Sequence, residues 1–305
     1  MALLEARNLK KSFGTVQAVC GVDLDVEPGE IFGLVGPDGA GKTTTLRLLV
    51  GVVDPEEGET RLDGISIERE PDRAREMLGY MPQQASLYRD LTVEENLRFY
   101  ADMYFVPRRD RREKMEWLYR FSRLKPFAGR RAGQLSGGMY KKLALSCNMI
   151  HEPRLLLLDE PTTGVDPLSR RELWEILYAF SAEGVAVVVS TPYMDEAERC
   201  HRVALMSAGR FLVTDTPRAI LDGFPERMFE ILPADIRAAR RALEGRPGVR
   251  RCYPSGEVLK AACEPDVTPG DLARMMEQAG LPVPEVGAVR PNFEDVFLAV
   301  EDRRA

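Results

Sequence analysis

The sequence predicts an α/β fold built on a parallel core sheet, and two segments carry that prediction. Residues 36–43 read Gly-Pro-Asp-Gly-Ala-Gly-Lys-Thr, a complete G-x-x-x-x-G-K-[ST] loop. The apolar run Ile31-Phe32-Gly33-Leu34-Val35 enters it as a buried strand, and Thr44-Thr45-Leu46-Arg47-Leu48-Leu49 leaves it as a helix. Residues 155–160 read Leu-Leu-Leu-Leu-Asp-Glu, a second buried parallel strand that stops at two carboxylates. Ligands of such sheets lie at the carboxyl ends of the strands, so loop and carboxylates are expected in one site.

The remaining elements follow in order. Residues 1–30 read as strands and turns, closed by Glu27-Pro28-Gly29-Glu30. Residues 52–65 hold the turn signals Asp54-Pro55-Glu56-Glu57-Gly58 and Asp63-Gly64 of an antiparallel piece. Residues 84–150 read as mostly helical. Their basic run, Arg108-Arg109-Asp110-Arg111-Arg112-Glu113-Lys114, is expected to be a solvated helix face; contact with lipid headgroups is the sharper alternative. Residues 185–191 and 202–206 are further buried strands, and Gly209 opens a hairpin. A second domain is expected from Gly223-Phe224-Pro225 onward. There Met228–Leu232 is a strand and Ala234–Leu243 a helix. Val249–Cys263 is a hairpin turning at Pro254-Ser255-Gly256. Pro269–Gln278 is a helix capped by Thr268, and Glu285–Arg290 is a last strand. The order β-α-β-β-α-β predicts a small ferredoxin-like unit.

Composition narrows the function classes. The net charge of −6 argues against a general nucleic-acid binder. No apolar run approaches the roughly 20 residues of a membrane-spanning helix. The start, Met1-Ala2-Leu3-Leu4-Glu5, lacks the apolar stretch of a signal peptide. Cys20, Cys147, Cys200, Cys252 and Cys263 are scattered with no C-x-x-C, which suits five inert thiols in a reduced cytoplasm. His151 and His201 are not spaced as a metal pair.

The loop chemistry is specific. Backbone N–H groups of Gly36, Pro37, Asp38, Gly39, Ala40, Gly41, Lys42, Thr43 and Thr44, proline excepted, are expected around phosphate oxygens, aided by the helix N-terminus. Lys42 reaches the β- and γ-phosphates as a point charge, and the Thr43 hydroxyl suits Mg²⁺. Asp159 is placed to hold the same ion, directly or through water. Glu160 is placed to polarise an attacking water. A second anion-binding helix start, Leu135-Ser136-Gly137-Gly138-Met139, leaves two possibilities: a second phosphate, or a nucleotide held by another subunit.

The ordered set resembles the ATP-binding cassette of ABC transporters over roughly residues 1–220. It comprises the phosphate loop, Gly79-Tyr80-Met81-Pro82-Gln83, the Ser136 segment, Leu155–Pro161 and Gly164-Val165-Asp166-Pro167. The resemblance implies a mixed core sheet with an antiparallel and a helical subdomain. It implies ATP and Mg²⁺ as ligands, with Gln83 contacting the ion and sensing a membrane partner. Ser136, Gly137, Gly138 and Asp166 would meet ATP held by a second cassette in a homodimer or heterodimer, and Phe13 would stack on adenine. The stretch at residues 90–101 and Met139 resemble the ABC-2-type, drug-resistance exporters, nearest to the amino-terminal cassette of fused two-cassette members. That branch implies a separate transmembrane permease, a place on the cytoplasmic face of the membrane, and a division at residues 1–222 and 223–305. The ending Pro291-Asn292-Phe293-Glu294-Asp295-Val296-Phe297 resembles the closing motif of its accessory domain.

Two residues depart from the family pattern. The position of the switch histidine holds Pro192, which has no side-chain donor, so hydrolysis is expected to be slow. Asp38 stands where asparagine is usual and adds repulsion near the phosphates. A weakly hydrolysing cassette of an asymmetric pair is the first alternative function. A non-transport ABC ATPase acting on ribosomes or DNA is the second.

Overall fold

The computed structural model describes residues 2–84, 87–282 and 285–302; residues 85 and 86, inside the stretch predicted to be helical, lie outside these. The chain divides into two compact units, one ending at Pro217 and one beginning at Arg218.

The first unit runs β1 (Leu4–Phe13), β2 (Val16–Val26), β3 (Ile31–Val35), α1 (Lys42–Leu49), β4 (Glu57–Leu62), β5 (Ile65–Ser66), α2 (Pro71–Glu76), β6 (Leu78–Met81), α3 (Val93–Met103), α4 (Arg108–Ser122), α5 (Gly137–Met149), β7 (Leu155–Asp159), α6 (Pro167–Ala182), β8 (Ala186–Thr191), β9 (Arg202–Ser207) and β10 (Arg210–Asp215). Six strands form the core sheet in the order β10-β9-β3-β8-β7-β6. All pair in parallel except β10, which returns antiparallel along β9 through the hairpin at Gly209. Continuous apolar sequence explains the central strands: every residue of β3, β7 and β8 is buried, as two covered faces require. A second, antiparallel sheet has the order β2-β1-β4-β5. Leu46, Leu48 and Leu49 of α1 share one core with residues of both sheets. Strand β4 already begins at Glu57, within the predicted turn. Gly58 there has a φ of 94°, and an added Cβ would lie 2.4 Å from the Arg7 carbonyl oxygen, so only glycine fits beside β1.

Helices α3, α4 and α5 supply the predicted helical part. Thr92 and Glu95 form a reciprocal capping box at the start of α3. The basic run opens α4. Arg109 is exposed, whereas Arg111 pairs with Asp102 and Lys114 with Glu152 at 2.7 Å. It is therefore a mixed-charge surface face stitched to its neighbours.

The second unit begins within α7 (Pro217–Asp222). It continues β11 (Arg227–Leu232), α8 (Ile236–Leu243), β12 (Val249–Ser255), β13 (Val258–Cys263), α9 (Pro269–Gln278), β14 (Glu285–Val289) and α10 (Phe293–Asp302). Its sheet is antiparallel throughout, in the order β12-β13-β11-β14. Helices α8 and α9 pack on one face over Phe229, Ile231, Leu259 and Ala261. Lys260 points to the other face and meets Asp295 of α10. The predicted hairpin turn is displaced. Pro254 and Ser255 belong to β12, and the chain reverses at Gly256-Glu257. Proline is tolerated because β12 is an edge strand. Helix α10 was not foreseen, although its motif was.

Candidate active site

The phosphate loop connects β3 to α1, and two of its glycines, Gly36 and Gly41, are needed for close approach. A Cβ at Gly36 would sit 2.1 Å from the Met206 carbonyl oxygen. Gly41 has a φ of 108°, and its Cβ would sit 2.4 Å from the Ala18 carbonyl oxygen. The loop is thereby pressed against β2 and the β9–β10 hairpin, whose Gly209 N–H donates to the Ala40 carbonyl at 2.9 Å.

Lys42 opens α1 and is 4% exposed. Its ammonium donates to the carbonyls of Gly36 at 2.8 Å and Pro37 at 3.0 Å. It lies 3.7 Å from Glu160 Oε1. Burial lowers the Lys42 pKa from the ordinary lysine value, while Glu160, Asp38 and Asp159 oppose that shift.

The two carboxylates lie at the end of β7, and the register of the sheet fixes both. Asp159 faces Ser190 on β8. Ser190 Oγ donates to Asp159 Oδ1 at 2.7 Å and accepts the Glu160 N–H at 3.0 Å. Thr43 Oγ1 donates to Asp159 Oδ1 at 3.0 Å, joining loop and strand. Glu160 has a φ of 48°, a left-handed conformation uncommon for glutamate. Its Oε2 accepts from Gln83 Nε2 at 2.8 Å and from Thr163 Oγ1 at 3.1 Å. Asp38, Gly39, Ala40, Gly41, Lys42, Thr43, Thr44, Gln83, Glu160, Thr163, Pro192 and Tyr193 line one cavity of about 830 Å³, with Val16, Gln17, Ala18 and Ala208.

Thr43, Asp159 and Gln83 offer hard oxygen donors, the chemistry Mg²⁺ prefers, and the Thr43–Asp159 separation of 3.0 Å brings two of them together. The donor set fits the ion. Among the described residues no cluster of three His, Cys, Asp or Glu side chains is arranged to cage a metal, so the remaining positions suit phosphate oxygens and water.

The segment after β8 is anchored by a residue that sequence reasoning missed. Glu196 is fully buried and accepts from Thr191 Oγ1 at 2.6 Å, Thr162 Oγ1 at 3.0 Å and Trp174 Nε1 at 3.2 Å. Tyr193 follows Pro192, with its ring stacked under the Arg170 guanidinium at 4.1 Å. Pro192 itself faces the cavity. Ser190, Thr163 and Lys141 were missed as well, and no local sequence signal marks them.

The Ser136 segment and Asp166 lie outside this cavity. Ser136 caps α5, accepting the Met139 N–H at 3.4 Å, and Ser136 and Gly137 are exposed. A Cβ at Gly138 would lie 2.3 Å from Ser169 Oγ, so α5 and α6 meet there without a side chain. Asp166 caps α6, accepting the Ser169 N–H at 2.9 Å, and that bond holds its carboxyl below the usual range. Phe13 is 52% exposed at the end of β1, paired with Val16 across the turn, and does not line the cavity.

A phosphate loop at a parallel strand end, a carboxylate pair opposite it and a helical insertion define a P-loop nucleotide-binding cassette. Residues 19–163 match the ABC transporter family. The chain is 38% identical over 304 residues to the Nod factor export ATP-binding protein I of Paraburkholderia xenovorans, covering 99% of this chain and 98% of that protein. It is also 38% identical over 302 residues to the probable multidrug ABC transporter ATP-binding protein YbhF of Escherichia coli, covering 97% of this chain. It spans about half, 52%, of YbhF. A solved ATP-binding subunit of an ABC transporter matches with a TM-score of 0.66 and 30% identity, over 73% of this chain and 93% of that one. The fold is shared with CbiO1 of Clostridium perfringens at a TM-score of 0.67 and 24% identity, over 72% of this chain and 91% of that one. The chain belongs to the ABC transporter family and is an ABC ATPase cassette.

Proposed function

We propose that this chain is the ATPase subunit of an ABC-2-type exporter, related to the amino-terminal cassette of fused two-cassette members. The names of the relatives support an export role. No described helix is long and apolar enough to cross a membrane, which suits a subunit that works on a separate permease at the cytoplasmic face. The accessory unit has the strand order of a ferredoxin-like fold, and its division from the cassette near α7 supports the two-domain reading.

In this reading the loop from Gly36 to Thr44 and the ammonium of Lys42 hold the ATP phosphates, and Phe13, exposed outside the cavity but paired with Val16 at its edge, takes adenine. Thr43, Asp159 and Gln83 hold Mg²⁺, which when bound neutralises phosphate charge. Ser136, Gly137, Gly138 and Asp166 serve the nucleotide of a second cassette; the exposure of Ser136, Gly137 and Asp166 outside the cavity supports a role in trans. Glu160 accepts the proton of the water that attacks the γ-phosphate. One observation carries the reading. The Glu160 carboxylate is buried 3.7 Å from Lys42 and held by Gln83, in the cavity of the phosphate loop.

Pro192 favours a second reading of the rate. The chain hydrolyses ATP slowly at its own loop and pairs with a cassette that carries the histidine. One well-placed catalytic group contributes about 10²–10⁴-fold. Turnover of the purified chain should therefore be low, rise in Pro192→His and vanish in Glu160→Gln. Brisk wild-type turnover that histidine leaves unchanged would refute the slow-cassette reading. Undiminished turnover in Glu160→Gln would refute the assignment of the base.

A further inference from the structure

Lys141 lies on α5, five residues beyond the capping Ser136, and is half-buried. Its ammonium donates to the Gln83 carbonyl at 2.8 Å and reaches the Glu160 carbonyl at 3.5 Å. One side chain of the helical part thus touches the backbone of two residues whose own side chains are hydrogen-bonded to each other, Gln83 and Glu160. Its direct bonds are to carbonyls, with the carboxylates of Glu160 and Asp159 acting on it from further away. A lysine drawn partly out of water onto carbonyls, with its counter-charges at a distance, costs stability: burial outweighs their attraction. Stability alone therefore does not explain why a lysine is used here.

Two features of Glu160 give the contact a purpose. Its left-handed backbone persists only where the surroundings over-determine it. Ser190 Oγ holds its N–H, and Lys141 is at its carbonyl, so the peptide groups on both sides of the Cα are tethered. The second feature is Pro192, which cannot orient a base or a water. The direction of the Glu160 carboxylate then depends on Gln83, Thr163, the Lys42 ammonium and the backbone that carries it.

We propose that Lys141 is a positioning residue for ATP hydrolysis, clamping the backbone of Gln83 and Glu160 so that the Glu160 carboxylate stays aimed without a histidine at position 192. The proposal rests on the reading of Glu160 as general base. Lys141 does not line the cavity of the phosphate loop, so its loss should act on the rate of the chemical step and not on nucleotide affinity. A displacement of about 1 Å in such a group costs up to about 10²-fold in rate.

The test is single-turnover hydrolysis by the full chain in excess over ATP, with affinity measured by calorimetry. Lys141→Met should slow hydrolysis about tenfold or more while the ATP dissociation constant stays within about twofold. Lys141→Arg, which keeps the charge and donors, should recover most of the rate. Lys141→Gln, a smaller change that keeps a donor, should fall between them. In a Pro192→His background the penalty of Lys141→Met should shrink, because imidazole then shares the task. Wild-type rates in Lys141→Met would overturn the proposal. So would equal losses of rate and affinity in the Met and Arg variants, the mark of a merely structural role. Glu160→Gln separates the two levels. Full hydrolysis there removes the general-base reading. No hydrolysis there, with Lys141→Met at the wild-type rate, removes only the role of Lys141.

Discussion

Lys42 in the cassette and Lys260 in the C-terminal unit are both buried beside a carboxylate, at 4% and 7% exposure, but they differ in how fully they are satisfied. Lys260 donates to both oxygens of Asp295, at 3.3 and 3.4 Å. Asp295 also accepts from Tyr253 Oη and, at 2.7 Å, from the Asn292 N–H, and Asn292 Oδ1 accepts the Asp295 N–H in return. Lys42 has a loose ion pair of 3.7 Å and two carbonyls of its own loop. The first cluster is closed: each group has its partners within one unit, and it fastens α10 to the sheet. The second is open: its donors face a cavity and can turn toward phosphate at little cost. Burial and charge are alike in the two places, so burial alone does not mark a functional site. The completeness of the hydrogen bonding separates them.

Breaking the closed cluster should give the largest effect. Asp295→Asn leaves Lys260 buried without its counter-charge, which costs about 3–5 kcal/mol. A loss of that size should appear as a lower denaturant midpoint of the full chain, with the C-terminal unit unfolding first. An unchanged midpoint would show that the cluster is not the fastening described.

The open cluster was far more legible in the sequence than the closed one. Gly36, Lys42, Thr43, Asp159 and Glu160 announce themselves because phosphate chemistry demands fixed residue types at fixed local spacing. Buried strands such as Leu155–Asp159 are similarly plain, because two covered faces permit little but apolar residues. Ser190, Glu196 and Lys141 left no such trace. Each acts on a partner far away in sequence, and the meeting depends on sheet register or on helix packing that no local pattern encodes. The pairing of Lys260 with Asp295 was invisible for the same reason, although Asp295 sits in a recognisable motif: 35 residues separate them. The hairpin at Gly256 was misplaced because Pro254 is a turn signal that an edge strand also accepts.

A smaller effect is expected at Lys42. In the proposed reading, Lys42→Ala removes an ammonium that would make charged hydrogen bonds to phosphate, each contributing about 1.5–3 kcal/mol. ATP affinity measured by calorimetry should fall about 10–150-fold, with the melting temperature nearly unchanged. Equal ATP binding by both proteins would break the contrast between open and closed clusters.

The smallest effect sharpens the comparison most. Glu160→Gln is the same kind of one-atom exchange as Asp295→Asn, and because Lys42 keeps other partners its expected cost is that of one hydrogen bond, about 1 kcal/mol. The attraction it loses acts over 3.7 Å, and Lys42 keeps its bonds to Gly36 and Pro37. Asp38 and Asp159 still supply negative charge near that ammonium. The exchange also removes a buried carboxylate next to Asp159, relieving repulsion between like charges. These terms oppose one another, whereas at Asp295 every term favours the native acid. Paired denaturation curves of the two variants, run under one set of conditions, decide the matter. Comparable losses at both positions would mean that Glu160 stabilises the fold as Asp295 does, and the distinction between a closed and an open lysine would collapse.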